Sequence, residues 1–164
     1  MKGNIDVISG NSAGIVSEIV VCDRQFTMQA HKDLFKYDED RYIVERSQLV
    51  GILSGLAGQA RKIHLSLSWH GMLKVSLWSE NISLSSVLFL LKENGMKEED
   101  TLPFKEADIE DIFHVLYYGK NYDILRRICN TAKRSAENNI GGDLTSVACH
   151  LVGGPDSGIV ASSL

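Results

Sequence analysis

Apolar and polar residues alternate almost without interruption over residues 63–77, and this pattern restricts the folds open to the chain. A period of two on both sides of the short turn His70-Gly71 is typical of a β-hairpin with one buried face. The sequence therefore predicts a hairpin over about residues 62–78, within an antiparallel sheet. The alternating apolar residues are Ile63, Leu65, Leu67, Trp69, Leu73, Val75 and Leu77.

Strand patterns dominate the start of the chain, and helical patterns follow the hairpin. Strand-forming residues fill 15–21 and 25–28, and two more strand-like segments, 144–152 and 158–161, close the chain. Helical patterns occupy a short turn at 31–37 and the longer segments 47–56, 83–94, 106–118 and 121–137. Runs of one element type followed by runs of the other favour an α+β fold over alternating βαβ units.

Length and composition predict one compact domain. The chain has 164 residues, of which 44% are hydrophobic, enough for a core of its own. We expect residues 15–164 to form a single α+β domain, with several helices packed on the sheet. Residues 1–14 are predicted to be a short, flexible N-terminal segment.

Charge and cysteine content exclude several classes of protein. A net charge of −4 is not typical of a chain built as a whole to bind nucleic acid or anionic membrane. The three cysteines are odd in number and widely spaced, so they predict no disulfide framework. A reducing compartment, the cytoplasm, is the expected location.

The stretch Gly10-Asn11-Ser12-Ala13-Gly14 spells the G-x-S-x-G motif of a nucleophile elbow. Asp108 or Asp111 with His114, or Asp143 with His150, would complete a triad in chain order. Only nine residues precede the motif, which leaves no room for the strands that normally come before an elbow. We therefore interpret the motif as a turn, and a small serine hydrolase using Ser12 is the alternative.

A metal site is a second candidate for chemistry, formed from His64, His70, Cys149 and His150. These residues lack the usual spacing of metal ligands, and neighbours in a strand point to opposite faces. The sequence therefore predicts Cys149 in the core and His150 at the surface. The glycine-rich segment 153–158 is predicted to be a hairpin turn, and we expect no metal, cofactor, catalytic residue or small-molecule substrate.

Charge is distributed unevenly in the second half of the chain. Acidic residues dominate 96–111, and basic residues follow on one side of the predicted helix 121–137. Such a face can contact phosphate, lipid headgroups or the acidic segment of another copy. The predicted interaction residues are Lys120, Arg126, Arg127, Lys133 and Arg134.

The first half of the chain resembles the opening of the globular domain of rhabdovirus matrix proteins, those of plant viruses being the most compatible. The similarity rests on Val20-Val21-Cys22, Phe26, a short helix around Leu34, Asp38-Glu39-Asp40 with Tyr42, Arg46, Leu49-Val50-Gly51 and Ser54-Gly55, followed by the predicted hairpin. The resemblance implies a viral matrix protein that self-associates, condenses the nucleoprotein–RNA complex and links it to membrane during assembly and budding.

Together these observations predict a non-enzymatic structural protein that forms homo-oligomers in the host cytoplasm and in the virion. Its expected partners are other copies of itself, the nucleoprotein–RNA complex and, peripherally, the membrane. The alternatives are the serine hydrolase and an intracellular adaptor domain that binds another protein.

Overall fold

A five-stranded sheet forms the centre of the molecule. The computed structural model describes residues 16–141 and 145–164, so the predicted segment 1–14 and the motif around Ser12 lie outside the described residues. The strands are β1 (Val16–Cys22), β2 (Tyr42–Val44), β3 (Ala60–Leu67), β4 (Ser146–Val152) and β5 (Ile159–Ser162).

Seven α-helices connect these strands within the described part of the chain. They are α1 (Gln25–Phe35), α2 (Leu49–Ser54), α3 (Trp69–Leu77), α4 (Leu84–Glu93), α5 (Glu98–Thr101), α6 (Ile109–Tyr118) and α7 (Tyr122–Ile140). Short 3₁₀ turns cover Glu39–Arg41 and Leu102–Phe104. No helix in the described ranges is both long and apolar enough to cross a membrane.

The strand order in the sheet is β2-β1-β3-β4-β5. The first three pairs are parallel, and only β5 runs antiparallel to its neighbour β4. From β1 the chain first passes to β2 on one side and then returns to β3 on the other. This reversal of order makes a topological switch point between β1 and β3, the hallmark of a doubly wound sheet.

The two faces of the sheet are covered very differently. One face packs Ile19, Ile63 and Cys149 against most of the helices, including the buried side of α7, and forms the main core. The opposite face carries the alternate residues of the strands, among them Val20 and Cys22, and packs against Met28 of α1. Parallel strands are normally buried on both faces, and here α1 provides the second, thinner cover.

The predicted hairpin over 62–78 is wrong. Its first half is strand β3, but the chain then enters helix α3, which Ser68 caps by accepting a hydrogen bond from the Gly71 N–H at 3.3 Å. Trp69, Met72 and Leu73 follow helical spacing, and α3 is buried on nearly all sides. A helix that is buried all round carries apolar residues in most positions. The apolar residues of 69–77 therefore also fit the alternation expected of a strand.

The broad fold class is confirmed, whereas the type of sheet is not. The chain forms a single domain in which a sheet packs against several helices, as expected for α+β. The sheet is mostly parallel rather than antiparallel. The segment 25–28, predicted as a strand, begins α1, and the predicted turn 153–158 does join the antiparallel strands β4 and β5.

Candidate metal centre

Three histidines from three different elements meet beneath α1. His64 lies on β3 and His150 on β4, and both side chains point to the face that α1 covers. The strand register pairs His64 with Ala148, which places His150 two residues further along the neighbouring strand. His31 comes from α1, where it follows the buried Thr27 by one helical turn.

The three imidazole rings are close enough to share one ion. One nitrogen from each ring lies within 4.8 Å of the nitrogens from the other two. The ring centres of His31 lie 5.5 Å from His64 and 5.7 Å from His150. The rings of His64 and His150 stack at 6.1 Å with an angle of 9° between their planes.

Each ring is held by a hydrogen bond at one nitrogen. His31 Nδ1 contacts the Tyr42 hydroxyl at 2.8 Å, and His150 Nδ1 contacts Ser162 Oγ at 2.8 Å. His64 Nε2 contacts Glu18 Oε1 at 2.9 Å. Metal-binding histidines are commonly oriented in this way by a partner on the nitrogen that does not bind the metal.

The other nitrogen of each ring is buried and has no hydrogen-bond partner among the described residues. These three atoms are His31 Nε2, His64 Nδ1 and His150 Nε2. An unsatisfied buried polar atom is costly, and three in one cluster of side chains are unusual in a folded protein. A metal ion bound to all three would satisfy them at once.

Burial keeps two of the rings in the form that binds metal. Removal from water, followed by the neighbouring His150 and His64, lowers the pKa of His31 to about 3. The same loss of solvent, reinforced by His64 and Lys62, lowers the pKa of His150 to about 4. Both imidazoles are therefore neutral near pH 7, as ligation requires.

A carboxylate from β1 and a phenol from the loop after α1 support the cluster. Glu18 Oε1 accepts hydrogen bonds from the Tyr37 hydroxyl at 3.1 Å and from His64. The hydrogen bond from His64 is the main cause that lowers the pKa of the Glu18 carboxyl. Glu18 therefore offers His64 a negative charge, which makes the imidazole a better electron donor.

Phe35, the last residue of α1, covers the cluster on its outer side. Its ring centre lies 4.4 Å from that of His31, 5.2 Å from that of His150 and 6.3 Å from that of His64. The Phe35 residue is 37% exposed, and its ring packs against all three imidazoles.

The sequence singled out His64 and His150 as residues of a metal site but predicted no such site, and it gave no indication of His31. The predicted opposite orientation of Cys149 and His150 is confirmed, since Cys149 is buried in the main core. His150 was predicted at the surface and is half-buried instead, because α1 covers part of that face of β4. His31 carries no spacing signal relative to the other two, since a helix and two strands bring them together only in the folded chain.

The predicted basic residues are only partly brought together. Arg127 and Arg134 line one small cavity on α7 with Asn94, and Arg127 Nη1 donates to the Asn94 carbonyl at 3.3 Å. Arg126 pairs with Asp123, and Lys133 lies 3.4 Å from Glu137. Lys120 precedes α7 in the left-handed conformation, with φ of 59°. The interaction surface itself stays a prediction.

Comparisons with known proteins give one similar structure. No protein-family model matches the chain, and no curated protein matches it. It is similar to the crystal structure of β-carbonic anhydrase isoform I from the protozoan Trichomonas vaginalis, with 13% identity and a TM-score of 0.41. The similarity covers 97% of this chain and 93% of that chain.

These findings correct the resemblance to rhabdovirus matrix proteins, which is wrong. The similar structure is a β-carbonic anhydrase and not a viral matrix protein. The segment 25–28 and the second half of the predicted hairpin, on which the resemblance depended, are helical in this chain. The roles in the virion and in budding are withdrawn with it. The expectation of a non-enzymatic chain is corrected too, because three histidines form a group that could hold a metal ion.

Proposed function

We propose that this protein is a zinc-dependent enzyme whose metal is held by His31, His64 and His150. The observation that carries the proposal is a group of three histidines, each of which brings a ring nitrogen within 4.8 Å of the others and has one buried nitrogen without a hydrogen-bond partner among the described residues. Imidazole ligands suit zinc and its neighbours in the first transition row. Among these, zinc is the ion most often found with three protein ligands and one open position.

The number of ligands favours a catalytic role over a structural one. Structural zinc sites normally have four protein ligands, whereas catalytic sites have three and leave the fourth position to water or substrate. Within the described ranges, no fourth histidine, cysteine or acidic residue joins the three histidines. A zinc ion with such an open position activates water for hydration or hydrolysis near neutral pH.

The chain's own residues have three tasks in this chemistry. Tyr42, Glu18 and Ser162 fix the orientation of the rings through the hydrogen bonds described above. Phe35 packs against the rings, so it would limit both the access of bulk water and the size of a substrate there. The reaction class proposed is therefore hydration or hydrolysis of a small electrophile.

Metal content tests the proposal directly. We expect one zinc per chain after purification in zinc-containing buffer, measured by elemental analysis, and a four-coordinate visible spectrum after replacement by cobalt. His31→Ala and His150→Ala should each abolish stoichiometric binding. His70→Ala and His114→Ala are the matched controls, because these histidines lie outside the cluster and should leave the zinc content unchanged.

Activity is tested with a small ester such as 4-nitrophenyl acetate. We expect zinc-dependent turnover that a chelator removes, that added zinc restores and that His31→Ala lacks. If the unaltered protein holds less than one zinc per chain and all four variants hold the same amount, the proposed metal site is wrong. A full zinc site without turnover on any small ester or hydratable carbonyl compound would overturn the catalytic role alone.

The cytoplasm is retained as the proposed location. All three cysteines are free and buried, which suits a reducing compartment.

A further inference from the structure

A separate cavity opens at the carboxyl ends of β1, β3 and β4, and it does not share a residue with the three-histidine cluster. Its volume is about 440 Å³, within the range of small-molecule sites. It is bounded by residues within two positions of the strand ends, Arg24, Ser68 and Gly153. Doubly wound sheets bind their ligands at this edge, beside the switch point of the strand order.

The floor of the cavity carries a guanidinium and the N–H groups at the start of a helix. The first N–H groups of a helix have no acceptor within that helix, and at the start of α3 these belong to Trp69 and His70. Arg24 lies beside them, and its Nε is buried with no hydrogen-bond partner in the described chain. A guanidinium next to a helix N-terminus favours an anion.

The rim of the cavity carries acceptors instead. His70 Nδ1 lies 3.3 Å from Glu110 Oε2, and both side chains are partly open to solvent. Asp156, from the loop after β4, is exposed at the opposite side, and His114 adds a ring from α6. The two carboxylates suit the hydroxyl or amino groups of a ligand larger than the anion on the floor.

A buried carboxylate keeps the floor in place without a ligand. Asp23 accepts hydrogen bonds from the Ser68 N–H at 2.9 Å and from the Ser68 hydroxyl at 2.5 Å. These bonds tie the end of β1 to the start of α3. Gly71 makes the approach possible, because a Cβ there would lie 2.4 Å from Asp23 Oδ2. The donors on the floor are thus preorganised for binding.

We propose that this cavity binds a small metabolite that bears an oxyanion, a carboxylate or a phosphate, together with hydroxyl or amino groups. The oxyanion contacts Arg24 and the N–H groups of Trp69 and His70. The hydroxyl or amino groups donate to Glu110 and Asp156. This site is independent of the proposed zinc site.

Titration of the ¹⁵N-labelled full-length protein with inorganic phosphate and, separately, acetate tests the floor. We expect saturable NMR shifts of the Trp69 and His70 amides with at least one of the two anions, and the stronger of them identifies the class of oxyanion. Arg24→Gln should weaken binding about tenfold or more. Arg61→Gln is the matched control, since exposed Arg61 lies at the other end of β3.

The outcomes separate this site from the zinc proposal. His31→Ala should bind the anion as the unaltered protein does, even though it is expected to lose zinc. If Arg24→Gln does not fold, Arg24→Lys replaces it in the test. Lysine keeps the charge but lacks the planar guanidinium, so this variant should also bind the anion more weakly. Absence of saturable shifts with both anions, or equal binding by the Arg24 and Arg61 variants, would overturn the proposal.

Discussion

At the scale of single residues, Glu18 has the clearest predicted effect on the zinc site without being a ligand. Glu18→Gln keeps the size of the side chain but removes the negative charge that contacts His64 Nε2. Partners of metal-bound histidines typically contribute about 10- to 100-fold in metal affinity. We expect a loss of that order, measured by competition with a chromophoric chelator.

The matched control is Glu110→Gln, which changes an acid paired with a histidine outside the cluster. Its zinc affinity should equal that of the unaltered protein. If Glu18→Gln and Glu110→Gln bind zinc equally well, Glu18 does not orient a metal ligand.

At the scale of elements, the layer formed by α1 over β3 and β4 should be sensitive to acid in the metal-free protein. His31 and His150 have folded-state pKa values of about 3 and 4, whereas an unfolded histidine titrates near 6.5. Between these values the unfolded chain binds more protons, so stability is full above about pH 6.5 and falls as the pH is lowered. The loss approaches about 1.4 kcal/mol per pH unit for each histidine.

Urea unfolding of the chelated protein between pH 7 and pH 4.5 measures this slope. We expect His31→Gln to have a shallower dependence on pH than the unaltered protein, and His114→Gln to keep the original slope. If His31→Gln changes the free energy of unfolding by the same amount at every pH, the lowered pKa of His31 is contradicted.

At the scale of the whole molecule, all three cysteines are enclosed by packing. Burial raises the pKa of the Cys129 thiol to about 12 and raises the pKa values of Cys22 and Cys149 as well. Thiolates are the reactive form of cysteine. The thiols of the native protein should therefore react with an aromatic disulfide reagent only at the rate at which local or global unfolding exposes them. Three thiols per chain should react at once in guanidinium chloride. Fast labelling of any thiol in the native protein would contradict this packing.

Self-association through the basic residues of α7 also stays a prediction about the whole molecule. Arg127→Glu should lower the average molecular mass of the protein in solution, measured by light scattering at low salt. The substitution reverses the charge at the cavity that Arg127 shares with Arg134 and so weakens contacts with an acidic partner. Arg61→Glu, on β3, provides the control. A monomer at every salt and protein concentration would contradict the prediction.

Local pattern determined which segments form most elements. The helices predicted at 83–94 and 121–137 correspond to α4 and α7, with Ser83 and Asn121 as their N-caps. The strand predicted at 144–152 corresponds to β4. Capping residues, glycine stops and amphipathic spacing act between residues close in sequence, so they can be read without the fold.

Only the tertiary structure decided how the strands pair and what lies between them. Residues 69–77 form a helix because they are enclosed on nearly all sides, which erases the amphipathic signal. The parallel register and the crossover by α1 bring residues 31, 64 and 150 together from distant parts of the chain. The sequence alone determined the polar face of β3 that carries His64, but whether that face meets water or two other imidazoles depends on contacts that no local pattern encodes.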